Sequence, residues 1–591
     1  MQPKAMSHPL APNFHASHWK QREAWQNTWH ALDTAFGCGE SFLHTLQAWR
    51  ADAVAPDRLF FTAFSADSPK QLEPFLAKPC YGLLPGVHRI SFEKGRVQLT
   101  LCIGPTPLLA KEIDTPADSI CVDSLVHWGA KPIARMCKTG THIKWNQASS
   151  ETLADIQTQG VVLDKPTHTA RYMPQWDDKS SLRGRPSQSS NALQNEKKVI
   201  VIGAGLAGSA VAHSLAQRGF SVLVLDQGSH LGAGASGLPA GIFATYVSPD
   251  NGALARITRD GVRATVQRAS DLLQKGLEWN LTPLLEHRYA GKRQLPAGSL
   301  WPAAGLEWSA DASIAQKQQA GLNDSNLALW HPMAGWIQTQ ALVKAQLTMK
   351  NIQFLPNAVA TKLVRINSQW HVLDAQGNTL AQSTLVVLAN AHPCQTLLDS
   401  VETNASEFAR PRLPATALRG QVMLGPMSLL SQNLQNKLPE FPVTGPGSFI
   451  GMLTPLPCQN SALALNEPYW IVGSSFQRND FNTQYRNADQ ISNHQQWAEL
   501  MPAWYDDILK GLDSHQAQAW VGVRSALPDR LPAVGSFHHP EFEGLSVCTG
   551  MGARGISWSV LCGELLAAHM LGEPLPMAAS LAKLMAASRF G

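Results

Sequence analysis

The chain has 591 residues, of which 44% are hydrophobic and only 16% charged, with 18 Trp and 19 Phe. That balance excludes global disorder and suffices for two or three domain-sized cores. A formal net charge of +4 permits a polyanionic partner without demanding one.

The stretch from Met1 to His30 carries Lys4 but no apolar core, so no secretory leader is expected there. Short strand-like runs follow, at Leu59–Phe64, Val97–Ile103, Ser119–Val122 and Thr141–Trp145, with a helical pattern from Phe42 to Trp49. This alternation predicts a parallel α/β domain. Between Pro166 and Glu196 the chain turns to Ser, Gln, Pro and charge, which reads as a linker. Its Arg171, Lys179, Arg183 and Arg185 could touch phosphates, but the better expectation is that they keep the linker solvated. The organisation expected is a first module over residues 1–165, a linker over 166–196 and a second module over 197–591 with an inserted β-rich part.

The second module opens on the most specific motif of the chain. Lys197–Ile202 is an apolar strand with a basic lead-in, Gly203-Ala-Gly205-Leu-Ala-Gly208 follows at once, and a helical run covers Ser209 to Arg218. A second apolar strand, Val222–Leu225, ends in Asp226. Gly203 allows the tight turn, Gly205 lets a pyrophosphate approach the backbone, and Gly208 lets helix and strand pack closely. Asp226 stands where a carboxylate accepts ribose hydroxyls. A further small-residue loop, Gly232-Ala-Gly-Ala-Ser236-Gly237, suits a longer dinucleotide, with Ser236 on a phosphate or ribityl oxygen. The strand Ser383–Leu388 ends at Ala389, and Gly550-Met-Gly552-Ala-Arg554-Gly555 opens a helix near the end. Together these loops point to FAD as the cofactor.

The nine cysteines are scattered, with no Cys-x-x-Cys pair, and read as the reduced thiols of a cytoplasmic protein. The longest uncharged apolar run, Val199 to Ala212, contains three glycines and is too short to cross a bilayer. Neither a metal site nor membrane attachment is expected, and nothing in the sequence sets the oligomeric state.

These residues resemble the amine-oxidising flavoproteins of the D-amino-acid oxidase and glycine oxidase class. At Gly420-Gln421-Val422, at Gly522 to Gly535, from Gly552 to Ala568, and at Glu573-Pro-Leu-Pro-Met577 the chain is similar to the C-terminal half of the bifunctional MnmC family. The resemblance implies a two-dinucleotide-fold FAD domain with an antiparallel substrate subdomain. It implies oxidation of the carboxymethylaminomethyl group of a tRNA wobble uridine, releasing glyoxylate. It also makes tRNA the expected partner. A guanidinium fork suits the substrate carboxylate, and Arg524 is the first candidate, with Arg554 second. The alternative for Arg524 is a structural ion pair with Asp529. His331-Pro-Met-Ala-Gly-Trp336 resembles a segment that helps line the family's site, although a Trp there is more often core.

The same family carries an S-adenosylmethionine-dependent methyltransferase in front, with a Rossmann-like fold. Ala35-Phe36-Gly37-Cys38-Gly39 resembles its glycine loop, placing Gly37 and Gly39 against the methionine moiety. Leu84 to Arg89 and Glu93 to Val97 also match, and Asp123 stands where the family has its Asp-Gly-Phe-x-Pro segment. Three departures stand out. The strand Leu59–Phe64 closes on Ser65 instead of an acid, Asp123 is followed by Ser-Leu-Val-His-Trp, and no convincing first strand precedes Phe36. They favour a decayed methyltransferase kept for packing or tRNA docking over an active one, with Asp123 the key residue if activity survives. Two other functions stay open: a free glycine- or sarcosine-type oxidase, and a non-catalytic tRNA-binding flavoprotein.

Overall fold

The computed structural model describes residues 14–22, 26–69, 71–164, 167–176, 197–288, 294–402, 410–456, 466–537 and 539–591. Lys4, Lys179, Arg183, Arg185 and Cys458 lie outside these ranges. The chain divides into two compact units, Met1–Pro186 with Leu571–Ser580, and Ser187–Met570 with Leu581–Gly591. Among the described residues no helix is long and apolar enough to cross a membrane, and the eight described cysteines form no disulfide with one another.

The first unit is an eight-stranded sheet. Its strands are β1 (Thr28–Asp33), β2 (Arg58–Ser65), β3 (Gly86–Phe92), β4 (Val97–Ile103), β5 (Ala117–Ser124), β6 (Cys137–Gln147), β7 (Val161–Asp164) and β8 (Thr169–Tyr172). They run in the order β3-β4-β2-β1-β5-β6-β8-β7. The five central strands are parallel, β3 and β8 run against them at the two sides, and the edge strand β7 pairs antiparallel with β8 and so runs with the central strands. Strand β1 corrects the expectation that nothing precedes Phe36. It is buried on both faces, so it lacks the polar–apolar alternation of a half-exposed strand. His30 hides it further: the ring is enclosed between Thr62 Oγ1 (2.8 Å) and the Pro116 carbonyl (3.1 Å). Burial pushes its pKa down to about 4.

Two boundaries also move. Thr169–Tyr172, expected in the linker, is strand β8, hydrogen-bonded to β6 and β7. The segment Leu571–Ser580, expected in the second module, belongs to the first unit. There the buried Glu573 lies 3.7 Å from the equally buried Arg58, and Arg89 donates to the Pro574 and Leu575 carbonyls at 2.9 and 2.6 Å. An ion pair sequestered to this degree holds only while both partners are present, because either one alone would be an uncompensated buried charge.

The second unit is built on a six-stranded sheet in the order Ile352–Leu355, β10 (Ser221–Leu225), β9 (Lys198–Ile202), Val386–Leu388, Leu545–Thr549 and Ala533–Ser536, all parallel except the last. Three helices cover it: Leu206–Ala216, Ala253–Leu272 and Gly555–Leu571. Glu564 locks them by accepting from Ser214 Oγ (2.7 Å), Arg218 Nη2 (3.0 Å) and Arg268 Nη2 (2.9 Å). A Cβ at Gly563 would stand 2.6 Å from the Ala210 carbonyl oxygen, so only glycine allows this approach. The inserted part is a nine-stranded, largely antiparallel sheet, whose long strand Thr416–Pro426 pairs with Gln518–Ala526. This is the expected fold: a Rossmann-like α/β unit, then a dinucleotide fold carrying an antiparallel β-rich subdomain.

Candidate active site

The dinucleotide motif takes the form its spacing predicts. Strand β9 runs into Gly203, whose φ of +111° favours glycine, and the helix Leu206–Ala216 begins after Gly205. A Cβ at Gly203 would stand 2.5 Å from the Ala389 carbonyl oxygen, and one at Gly208 only 1.8 Å from the Gly203 carbonyl oxygen. Ala389 therefore closes directly on the loop. Asp226 ends β10 and spans the loop: its Oδ2 accepts from Ala204 N–H at 2.6 Å and its Oδ1 from Gly228 N–H at 2.7 Å. Each carboxylate oxygen keeps a second lone pair for a further donor. Ser236 Oγ accepts from Leu206 N–H at 2.9 Å, which places a hydroxyl on the open N–H groups of the helix. Thr339 anchors that loop by donating to the Ser236 carbonyl at 2.8 Å.

The strand Gln518–Ala526 brings the remaining candidates together. At one end a Cβ at Gly237 would be 3.7 Å from Trp520 Nε1, and at the other Ala526 bridges to Met551, beside the Gly552–Arg554 turn. A Cβ at Gly555 would touch Leu206 at 3.6 Å, so the two glycine loops meet. Arg524 lies on this strand between them, opposite Leu418. Its guanidinium sits 5.9 Å from the Phe476 ring, and a Cβ at Gly420 would be 3.2 Å from its Nη2. No carboxylate among the described residues pairs with it, and burial alone lowers its pKa. The Asp529 alternative is excluded: that carboxylate pairs with Arg589 at 2.9 Å. Arg554 lies 5.2 Å from the Tyr246 ring and 5.4 Å from the Trp558 ring.

His331 and Trp336 turn inward. Trp336 packs in an apolar cluster with Val422, Leu424 and Tyr469. His331 is fully buried, with Nδ1 2.7 Å from Ser309 Oγ and Nε2 3.1 Å from Glu286 Oε2. Ser309 in turn reaches Thr245, next in sequence to Tyr246.

In the first unit the candidates gather at the C-terminal edge of the parallel strands, where β1 lies between β2 and β5. This is the switch point at which open α/β sheets bind ligands. Gly37 (φ +60°) faces open space, whereas a Cβ at Gly39 (φ +100°) would collide with Leu76 at 2.3 Å. Asp123 donates its N–H to Thr34 Oγ1 at 2.8 Å, and its Oδ1 lies 3.4 Å from Asn146 Nδ2. Sequence reasoning missed Asp33, the acid closing β1 just before the glycine loop. Its Oδ1 accepts from Ala35 N–H at 3.0 Å, while Oδ2 is buried without a well-formed hydrogen bond, and the nearby Ser41 hydroxyl only holds the carboxyl back from a larger rise. Burial, with Asp123 nearby, pushes its carboxyl up to about 6. At the end of β2 the Ser65 hydroxyl is spent on the Asp67 carbonyl at 2.6 Å. Cys38, Glu40 and Glu73 bring one ligand atom each within 4.8 Å of one another on the rim of this loop, but Glu40 is exposed and among the described residues no fourth ligand completes the set.

Residues 198–569 match the DAO family, described as FAD dependent oxidoreductase, and that class fits the paired glycine loops. The fold recurs in L-proline dehydrogenase from P. horikoshii, 16% identical, at a TM-score of 0.50 over 67% of this chain and 98% of that one. Two curated relatives are each named tRNA 5-methylaminomethyl-2-thiouridine biosynthesis bifunctional protein MnmC. That from Polaromonas naphthalenivorans (strain CJ2) is 40% identical over 94% of this chain and 89% of its own. That from Polaromonas sp. (strain JS666 / ATCC BAA-500) is 38% identical over 95% and 91%. The chain belongs to the MnmC family.

Proposed function

We propose that the chain modifies the wobble uridine of tRNA. In this reading the second unit removes the carboxymethyl group of 5-carboxymethylaminomethyl-2-thiouridine, leaving 5-aminomethyl-2-thiouridine and glyoxylate. The observation that carries it is Arg524, a desolvated guanidinium without a carboxylate partner, set between two glycine loops. Such a fork keeps its paired donors for an incoming carboxylate.

FAD fits the cradle at Gly203, Gly205 and Gly208, where added carbons would fill the space, with Asp226, Ser236, Ala389, Gly552 and Gly555 around it. When bound, it supplies the acceptor for two electrons from a C–H bond beside nitrogen. Arg524 holds the substrate carboxylate and so fixes the methylene between carboxylate and amine. Loss of hydride from that methylene leaves a C=N bond. Water adds to it, and the C–N bond then breaks to give glyoxylate and the primary amine. Arg554, stacked between Tyr246 and Trp558, adds a second positive charge near the reacting end.

Against the decayed reading stand strand β1 and the acid Asp33 that closes it, and the first unit is accordingly proposed to take S-adenosylmethionine there and to methylate the aminomethyl product, completing 5-methylaminomethyl-2-thiouridine. Asp33, with its unsatisfied oxygen, and the open Gly37 suit the ammonium and the chain of the methionine moiety. Gly39 shapes the turn, and Asp123 faces the incoming amine. The ribose end lacks its acid, because Ser65 supplies a single hydroxyl already bonded to Asp67. Loss of such an acceptor costs about 1–3 kcal/mol, so cofactor grip is weakened without being abolished. The experiment is nucleoside analysis of tRNA bearing the carboxymethylaminomethyl group, with glyoxylate trapped in parallel. Equal yields of aminomethyl nucleoside and glyoxylate are expected. Unchanged tRNA from a protein that oxidises free glycine would overturn the reading.

A further inference from the structure

Beside Arg524 the protein holds aromatic rings out in water on a backbone that is fastened down. Phe476, Phe481 and Tyr485 are 52%, 58% and 52% exposed within ten residues. Single exposed rings are ordinary, but three on one short stretch leave a concentrated apolar surface uncovered. The stretch is not loose. Arg419, with no exposed surface of its own, donates to the Asn482 carbonyl at 2.6 Å and the Gln484 carbonyl at 2.7 Å, and pairs with the buried Asp489. Gln421 closes the far side, accepting from Arg486 N–H at 3.0 Å and donating to the Arg486 carbonyl at 2.9 Å. A buried arginine and glutamine are thus committed to a surface loop whose own rings pack little. Phe476 lies against the Arg524 guanidinium, and Phe481 meets the His392 ring edge-on at 4.7 Å. Arg478, exposed between them, makes no ion pair among the described residues.

We propose that Phe476, Phe481 and Tyr485 form a stacking platform for unpaired RNA bases flanking the nucleotide whose side arm Arg524 receives, an inference that rests on the tRNA reading above. Every base has a π-face, so rings presented by a rigid loop hold splayed bases of a single-stranded loop without reading their sequence. Arg478 supplies the phosphate contact. Duplex RNA offers no free base face and is a poor occupant. Fixing the loop in advance through Arg419 and Gln421 lowers the ordering cost of binding.

The test uses the FAD-loaded full chain and an anticodon stem-loop RNA with 2-aminopurine beside the wobble position, whose fluorescence falls when the base stacks. The wild-type protein quenches the probe and binds it better than a duplex of the same sequence. Phe481→Leu and Tyr485→Leu each weaken binding by about fivefold or more and reduce the quench, because a base–aromatic stack is removed. Their salt dependence keeps its slope, since no phosphate contact is lost, whereas Arg478→Ala lowers the slope by about one. Wild-type affinity and quench in both leucine variants would overturn the platform while leaving the tRNA reading intact. The same holds if the leucine substitutions abolish only self-association or binding of a protein. Failure of the wild-type chain to bind the stem-loop at all would bring down both.

Discussion

Asp529 gives its carboxylate to Arg589, with Oδ2 2.9 Å from Nε, and so leaves Arg524, five residues upstream, without the acid nearest to it in sequence. A half-buried arginine kept unpaired is costly, because its charge has lost water without gaining a counter-ion. The proposed function turns on that vacancy.

Arg524→Ala should lower kcat/KM for a carboxymethylamine substrate by on the order of a hundredfold, about 3 kcal/mol, the value of a charge-assisted hydrogen-bonded contact. Arg524→Lys should recover part of the loss, since it restores the charge but not the fork. Flavin content should be unchanged in both. Stopped-flow flavin reduction with a parallel absorbance count of bound FAD checks this, and loss of FAD in both variants would show that Arg524 is structural.

Gly208→Ala should yield protein without flavin, because the new carbon would lie 1.8 Å from the Gly203 carbonyl and the backbone there cannot yield. Asp226→Asn should weaken FAD binding by about tenfold to a hundredfold, as one acceptor oxygen becomes an NH2 group facing a backbone donor. Flavin absorbance per polypeptide after dialysis measures both.

The dinucleotide half was legible because its signals are local. The turn at Gly203, the helix after it and Asp226 follow one another in the chain and need no distant partner to be recognised. The first unit was harder to read for the opposite reason. Strand β1 is stabilised by neighbours on both sides, and Trp29, His30 and Asp33 within it look polar or irregular until Ser119, Thr62 and Ala35 take up their hydrogen bonds. Asp33 therefore went unnoticed, although an acid just before a glycine loop is a usable signal. Tyr246 and Phe476 had no such signal, since what marks them is their distance from Arg554 and Arg524. The tail escaped for the same reason, because Glu573 acquires meaning only from Arg58.

Binding of S-adenosylmethionine to the first unit should depend on pH through Asp33. The carboxyl, raised to about 6 by burial, must ionise to pair with an ammonium group. Affinity should fall by about tenfold for each pH unit below that value and level off above it. Calorimetric titration from pH 5 to 8 checks this, with Asp33→Asn expected to bind weakly and without the pH slope.

Acid should destabilise the first unit from the histidine side. Burial lowers His15 to about 3 and His30 to about 4, so both rings stay neutral in the fold while the unfolded chain takes up protons near 6.5. Their contribution is complete above 6.5 and drains as the pH falls toward those values, at up to about 1.4 kcal/mol per pH unit for each ring. Asp33 works with the opposite sign, its raised pKa favouring the fold as pH falls from about 6, but it is one group against four, since burial lowers His18 and His142 as well. Urea denaturation at pH 7.5 and pH 5 should show the lower midpoint at pH 5, and equal midpoints would contradict neutral burial.

The most direct test of the central claim is anaerobic mixing of the FAD-loaded protein with tRNA bearing 5-carboxymethylaminomethyl-2-thiouridine. Bleaching of the flavin band is expected, with one glyoxylate released per flavin reduced, and no bleaching with the same tRNA lacking that group. Bleaching by free glycine together with no response to the modified tRNA would contradict the claim.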